Sequence, residues 1–223
     1  MVNSANNIAY KYIYEGILSG RFPMGFPIVE GEIGVALGLS RSPVREALRR
    51  MEMEGLVKLY PGRGTFVTDL TQHDLEEIFD LRFLLELHAL ETACKYMEDE
   101  VLIELETNFL ELTDSSEPQQ YYDANARLHF TIIEYGGNSR MIGFYNMLSS
   151  QLAVVNRISS RYAGHFKESK KEHFDIIKAL KRRDIEKARH YLSDHLNRVR
   201  VQTIDAFQNP SINVARKKFE ERS

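Results

Sequence analysis

The sequence predicts a mainly α-helical protein with a small winged helix-turn-helix at the amino end and a larger all-helical part after it. Proline and glycine concentrate near the amino end, in "GRFPMGFP" and "YPGRG", and then become rare until "GGN" at residues 136–138. From Leu70 onward, apolar residues recur at helical spacing over long stretches. We therefore place one domain at residues 1–70 and a second at residues 71–223. A hydrophobic content of 43% is ample for burying a core.

Composition limits the classes of protein that fit. We expect a cytoplasmic protein without membrane contact, because no signal peptide and no run of about 18 apolar residues is present. The single cysteine, Cys94, excludes an internal disulfide and every cysteine-based zinc motif, and we predict that it is buried on a helix. The formal net charge is −3, so any DNA binding must come from a local basic patch.

Helical spacing and a hairpin signal define the small domain. Ala9, Ile13 and Ile17 recur at four-residue steps and predict a first helix that ends near Gly20. Two further helices flank the turn "GLS", and their apolar positions are Ile33, Ala36 and Leu37, then Val44, Ala47, Leu48 and Met51. Ser40 stands at the cap of the second of these helices. The run "LVKLYPGRGTFV" alternates and breaks at residues 61–64, which predicts a two-stranded hairpin with a basic tip.

The helix after the turn carries a ridge of arginines spaced four residues apart, opposite its apolar stripe: Arg41, Arg45 and Arg49. A helix fits the DNA major groove, and arginine grips guanine or phosphate bidentately. Arg63 at the tip of the predicted hairpin, the wing, can reach the adjacent DNA backbone or the minor groove. The alternative is a solvated charged face paired with Glu46 and Glu52. The turn, the cap and the wing favour DNA binding.

The segment from "YIYEGILSGRFPMG" through "LGLSRSPVREALRRMEMEGLVKLYPGRGTFV" resembles the winged helix-turn-helix of the GntR family of bacterial transcription regulators. The resemblance implies that Ser40, Arg41 and Arg45 contact a double-stranded operator, and that Gly62 and Arg63 lie at the wing tip against the DNA. The family often has a basic residue after the glutamate that starts the second helix. Here Gly31 follows Glu30, so we do not expect the phosphate contact that a basic residue would make at this position.

A buried arginine is predicted in the first helix of the second domain. From Leu75 to Met97 one face is apolar, with Ile78, Leu85, Ala89, Ala93 and Tyr96. Arg82 projects from the middle of that face and needs an anion there. Glu86, one turn further on, can supply the anion as a structural ion pair, and a bound ligand is the other possibility.

Three histidines and one amide are predicted to point inward from three helices: Asn125 and His129 from one, His173 from the next, and His195 from the last. Four histidines are placed elsewhere, with His190 facing outward, His88 off the apolar face, and His73 and His165 in connecting segments. Imidazoles that converge from separate helices hold zinc or another transition metal in many bundles. Each histidine can instead be a hydrogen-bonded core residue.

"DLEEIFDLRFLLELHALETA", "NARLHFTIIEYGGNSRM" and "EHFDIIKALKRRDIEKARHYLSDHL" resemble the FCD ligand-binding domain of the FadR-like subfamily, in its metal-containing branch. The resemblance implies an antiparallel helical bundle that dimerises, with His129, His173 and His195 as metal ligands and Arg82 on a carboxylate of the effector. The family's first metal ligand is an aspartate, and this sequence has Asn125 there.

An amide oxygen can coordinate a cation but brings no negative charge, so the metal site gains one unit of positive charge. Two outcomes follow: a weaker, more exchangeable metal, or a hydrogen-bonded pocket without metal. We favour a bound divalent transition metal, and zinc, nickel and manganese stay open.

These features predict a ligand-responsive DNA-binding regulator that binds a palindromic operator as a homodimer and senses a small organic acid. A metal-dependent hydrolase or lyase is the main alternative. The chain has no H-E-x-x-H signature, and we expect no carboxylate beside His129, His173 or His195 that could act as a general base. An architectural DNA-binding protein without an effector is the second alternative.

Overall fold

The computed structural model describes residues 4–160 and 164–208, which form two compact units. The first unit comprises the described residues through Thr71 together with Ser150–Val154 and Gln208. The second comprises Gln72–Ser149 and Val155–Phe207. Residues 209–223, which belong to the predicted second domain, lie outside the described part of the chain.

The elements of the first unit alternate between helices and short strands: α1 (Ala5–Leu18), β1 (Pro27–Ile28), α2 (Glu30–Leu37), α3 (Arg41–Met53), β2 (Val57–Tyr60) and β3 (Gly64–Val67). The strands form an antiparallel sheet in the order β1-β3-β2. The predicted hairpin is confirmed as β2 and β3, and β1 is a third strand that the sequence did not predict. At two residues, β1 is too short for alternation to reveal it, and it is defined by pairing Pro27 with Phe66 and Ile28 with Thr65.

A tight turn joins α2 to α3, as the sequence predicted. Gly38 has a φ of 65°, a left-handed conformation that glycine adopts without steric cost. Ser40 occupies the predicted N-cap position of α3, although its side chain makes no capping hydrogen bond. The predicted apolar stripe of α3 is confirmed as buried: Val44, Ala47, Leu48 and Met51. It packs in one core with Ala9 and Ile13 of α1.

The second unit is an antiparallel helical bundle: α4 (Gln72–Tyr96), α5 (Asp99–Leu110), α6 (Pro118–Tyr135), α7 (Ser139–Ser159), α8 (His165–Lys181) and α9 (Ile185–Gln208). Helix α4 packs against α6, and α5 packs against α8. Cys94 is buried on α4, as predicted. Tyr96 is 60% exposed, so its predicted place on the apolar face of α4 was wrong. It is the last residue of the helix, and the chain buries Met97 there instead.

The turn between α8 and α9 closes the carboxyl end of α4. Arg183 has a φ of 56°, and its Nη1 donates to the carbonyl oxygens of Cys94 at 3.2 Å and Met97 at 2.6 Å. Its Nη2 contacts Asp99 Oδ1 at 2.7 Å. These bonds satisfy carbonyl groups that have no partner within the helix. None of the described helices combines the length and the apolar character that a membrane span requires.

Candidate DNA-binding surface and metal centre

All the residues that the sequence predicted for DNA contact are exposed: Ser40, Arg41, Arg45, Arg49, Gly62 and Arg63. The three arginines lie on the face of α3 opposite its buried stripe, as their spacing predicted. A groove of about 140 Å³ between α3 and the sheet is lined by Arg45 and Arg49 on one side and by Leu59 and Thr65 on the other. The arginine ridge and the wing are therefore neighbours on one surface.

Arg45 is held by a glutamate from α2. Its Nε donates to Glu30 Oε1 at 3.0 Å and its Nη2 donates to Oε2 at 2.8 Å. Hydrogen bonding to Arg45 lowers the pKa of the Glu30 carboxyl. The sequence offered Glu46 and Glu52 as alternative partners of the arginines, and for Arg45 this was wrong. Glu46 accepts from Asn6 Nδ2, and Glu52 accepts from the Leu59 backbone amide. Both bonds to Glu30 use Nε and Nη2, so the Nη1 group of Arg45 does not take part in this pair.

The second unit brings the three predicted histidines together. His129 on α6, His173 on α8 and His195 on α9 are all buried, and one ring nitrogen of each lies within 4.8 Å of the others. His173 Nε2 and His195 Nε2 are 3.3 Å apart. Helical periodicity placed each residue on its buried face, and the packing of the helices makes the three faces meet.

The three rings fit a divalent transition metal. Burial lowers the pKa of all three imidazoles, so each ring is neutral at neutral pH and carries a lone pair. His129 Nε2 is buried and has no hydrogen-bond partner among the described residues. Two nitrogens bound tetrahedrally to zinc at about 2.0–2.1 Å lie about 3.3 Å apart, which matches the separation of His173 Nε2 and His195 Nε2.

Asn125 lies one turn before His129 and is half-buried. With His173 it lines a cavity of about 20 Å³, the size of one water molecule. The same cavity is lined by His165, Phe166 and Tyr121, and the last two rings stack with centroids 4.5 Å apart.

Two histidine placements from the sequence were wrong. His165 begins α8, is buried and bonds Gln202 Oε1 at 3.1 Å, and His73 is a helical residue of α4. The four-residue steps from His165 through Ser169 to His173 were the signal for a shared face. His190 is exposed, as predicted.

Arg82 forms the ion pair that the sequence offered as one possibility. Its Nε contacts Glu86 Oε1 at 2.7 Å, and both side chains are buried. Tyr145 also donates to Glu86 Oε1, at 3.0 Å. Burial by itself raises the pKa of the Glu86 carboxyl, but His129 and Arg82 outweigh burial and lower it to about 2. The carboxylate is charged, and Arg82 is the cation that balances it.

The expectation that no carboxylate lies beside the histidines was wrong. Glu86 Oε2 is 2.6 Å from His129 Nδ1, and Glu172 Oε2 is 2.7 Å from His195 Nδ1. Glu86 lies on the buried face of α4, one turn from Arg82. Glu172 is next to His173 on α8 and reaches across to α9. Of these two carboxylates, only Glu86 had a signal in the sequence, namely its position one turn after Arg82.

Residues 77–198, more than half of the chain, match the FCD domain, and residues 6–67 match the bacterial regulatory proteins of the gntR family. The fold and these two matches define a DNA-binding transcription regulator. The chain belongs to the gntR-family regulators that carry an FCD domain, as its motifs indicated.

A relative with 28% identity over 193 residues is the HTH-type transcriptional regulator YdhC of Bacillus subtilis (strain 168), and the match covers 84% of this chain and 86% of YdhC. E. coli McbR/YncC has a similar fold, with a TM-score of 0.74 and 20% identity over 98% of this chain and 100% of that chain. The Zn2+-bound FCD domain of TM0439 matches with a TM-score of 0.56 and 23% identity, covering 63% of this chain and 98% of that domain. The chain is a regulator like these relatives and not an enzyme, so the hydrolase or lyase alternative is set aside.

Proposed function

We propose that this protein is a ligand-responsive regulator that acts in the cytoplasm, binds a palindromic operator as a homodimer and senses a small organic acid. Residues 1–70 form the DNA-binding domain in this proposal, and residues 71–223 form the domain for effector binding and dimerisation. The observation that carries the proposal is a buried cluster of three imidazoles in a chain that also exposes an arginine ridge. An effector acts only if it binds one state of the regulator more tightly than another.

Six residues are proposed to contact DNA: Ser40, Arg41, Arg45, Arg49, Gly62 and Arg63. Their shared exposure, and the groove that joins α3 to the wing, support this assignment. The test is Arg45→Ala, which should weaken binding to a selected operator by about 1–3 kcal/mol if Arg45 contacts a base edge. Equal losses on operator and random DNA would assign Arg45 to phosphate instead. Arg50→Ala is the matched control, because Arg50 on the same helix pairs with Glu54.

Asn125, His129, His173 and His195 are proposed to hold a divalent transition metal: zinc, nickel or manganese. When bound, the metal supplies open coordination positions that attract an anionic oxygen. The zinc-bound FCD domain of TM0439 supports the proposal by similarity of fold. Elemental analysis of the purified protein should find metal that is lost in His195→Ala and kept in His190→Ala, whose side chain is exposed. Asn125→Asp should tighten metal binding, because it adds a negatively charged ligand.

Arg82 is proposed to hold a carboxylate of the effector, sharing its guanidinium with Glu86. A ligand set of three histidines leaves the charge of a bound divalent metal uncompensated, and this favours an anionic effector. The test is a thermal-shift screen of small carboxylates, with and without chelator. A stabilising acid whose effect is lost in Arg82→Lys supports the assignment, and a flat screen in both conditions contradicts effector sensing.

Exposed apolar side chains on two neighbouring helices support a homodimer through the second unit. They are Leu81 and Leu84 on α4, and Phe144 and Met147 on α7. Tyr145 of α7 donates to Glu86 of α4, so side chains of the two helices meet in the core. Large exposed apolar side chains mark protein interfaces where they form one patch.

A further inference from the structure

Two of the three imidazoles are held by a carboxylate that is itself held by an arginine. His129 Nδ1 bonds Glu86 Oε2, and Glu86 pairs with Arg82 at 2.7 Å. His195 Nδ1 bonds Glu172 Oε2, and Arg198 Nε and Nη2 donate to the two oxygens of Glu172 at 2.5 and 2.6 Å. The same arrangement therefore occurs twice, on different helices and with different residues.

The second arrangement is fixed further by neighbours of its arginine. Arg198 Nη1 donates to Gln202 Oε1 at 2.6 Å, and its Nη2 donates to Ser169 Oγ at 2.8 Å. An arginine bonded on several sides holds its carboxylate in one orientation. The carboxylate of Glu172 is thereby fixed against His195.

These contacts determine which nitrogen each ring offers. A carboxylate only accepts hydrogen bonds, so the Nδ1 of His129 and the Nδ1 of His195 each carry a proton and donate it. A neutral imidazole protonated at Nδ1 has its lone pair on Nε2. His129 Nε2 is buried without a partner, and His195 Nε2 faces the third ring, His173. Both free lone pairs therefore belong to nitrogens of the three-histidine cluster.

The two carboxylates also affect how strongly the rings bind a metal. Three neutral imidazoles and the amide of Asn125 bring no negative charge to a cation. Among the described residues, the carboxylates bonded to the rings are Glu86 and Glu172. A carboxylate that accepts from a metal-bound imidazole makes that imidazole a stronger ligand and fixes its orientation.

We propose that Glu86 and Glu172 are positioning residues of the metal centre, which present Nε2 of His129 and His195 to the cation and make these two imidazoles stronger ligands. This inference rests on the proposed metal binding. Glu172 is the better test of the two, since its side chain is 26% exposed and Glu86 is fully buried.

The experiment compares Glu172→Gln with Glu168→Gln in the full-length protein. Glu168 lies one turn earlier on α8 and contacts the same arginine, at 3.3 Å from Arg198 Nη1, without bonding any of the three clustered rings. Zinc affinity is measured at neutral pH by competition with a chromophoric chelator. Glu172→Gln should bind zinc about 10–100-fold more weakly, and Glu168→Gln should stay within about threefold of the wild type. Equal affinities for all three proteins, or an equal loss in both variants, would overturn the proposal.

A second measurement needs no variant. Long-range proton–nitrogen NMR spectra of the zinc-free wild type should show His129 and His195 protonated at Nδ1 and unprotonated at Nε2. The opposite tautomer at both residues would contradict the inference. Wild-type protein that takes up no zinc would remove the metal proposal as well. Zinc uptake that is lost in His195→Ala but unchanged in Glu172→Gln would remove only the positioning role.

Discussion

Replacing Arg82 with methionine removes a buried cation and keeps an apolar stem of similar length. Arg82 is 2% exposed and Glu86 is 0% exposed. In Arg82→Met the Glu86 carboxylate keeps its bonds from Tyr145 at 3.0 Å and His129 at 2.6 Å but has lost the cation that balances it. An uncompensated charge in the interior is strongly destabilising.

The expected cost follows from this burial. Removing one partner of a buried ion pair costs about 3–5 kcal/mol. In a protein of this size each kcal/mol lowers the melting temperature by about 2–4 °C, so the variant should melt roughly 10 °C below the wild type. Lys187→Met is the matched control, because the Lys187–Asp184 pair has a similar length of 2.7 Å but is exposed. It should cost less than about 1 kcal/mol.

The assay is chemical and thermal unfolding followed by far-UV circular dichroism, with chelator present so that metal binding does not contribute. The double variant Arg82→Met/Glu86→Gln removes both charges. It should be more stable than the sum of the single losses predicts, by about 1–3 kcal/mol. Additive losses, or a cost below about 1 kcal/mol for Arg82→Met, would refute the argument that the pair is a coupled buried charge.

Three further substitutions have expected results. Arg183→Ala removes donors to two carbonyl oxygens at the end of α4 and should cost about 1–3 kcal/mol in unfolding experiments. Gly136→Ala should cost a similar amount, about 1–3 kcal/mol, because a Cβ there would lie 2.7 Å from the Ala89 Cβ, where α6 packs against α4. Leu84→Glu puts a charge on a side chain that is 68% exposed, and should shift the protein to monomer in sedimentation equilibrium at unchanged stability.

Each of these substitutions has a control in the same unit. Arg182→Ala changes the exposed neighbour of Arg183 and should stay within about 0.5 kcal/mol. Gly143→Ala adds a Cβ in α7 that meets no atom within 4 Å, and should stabilise the helix by about 0.5–1 kcal/mol. Leu110→Glu alters an equally exposed leucine on α5 and should leave the oligomeric state unchanged. A variant that behaves like its control would contradict the contact on which its prediction rests.

Helical periodicity predicted the buried stripe of α3 and the three inward histidines. The stripe of α3 from Val44 to Met51 is buried, and so are His129, His173 and His195. In each case one side of a regular helix contacts the core, and a spacing of three and four residues reports that side directly. The sequence therefore placed the three rings inward without showing that they meet.

Periodicity within one helix does not predict which residues of different helices or strands contact each other. Glu30 bonds Arg45 across 15 positions, and Glu172 bonds His195 across 23. Such pairs depend on how two helices cross, which no spacing within one helix encodes. The strand β1 was missed for a related reason, since pairing with β3 defines a strand of two residues.

The stability of the helical unit does not require the buried pair of Arg82 and Glu86. Apolar side chains of similar volume in place of a buried ion pair are often neutral or stabilising, because two charges no longer have to leave water. Leucines at these positions would, however, leave His129 Nδ1 without an acceptor, and the ring could then turn or protonate the other nitrogen. The ion pair therefore has a role that leucines could not fill, because it holds the imidazole of His129 in one orientation. The repetition of the same arrangement at Arg198, Glu172 and His195 extends that reasoning to the second ring.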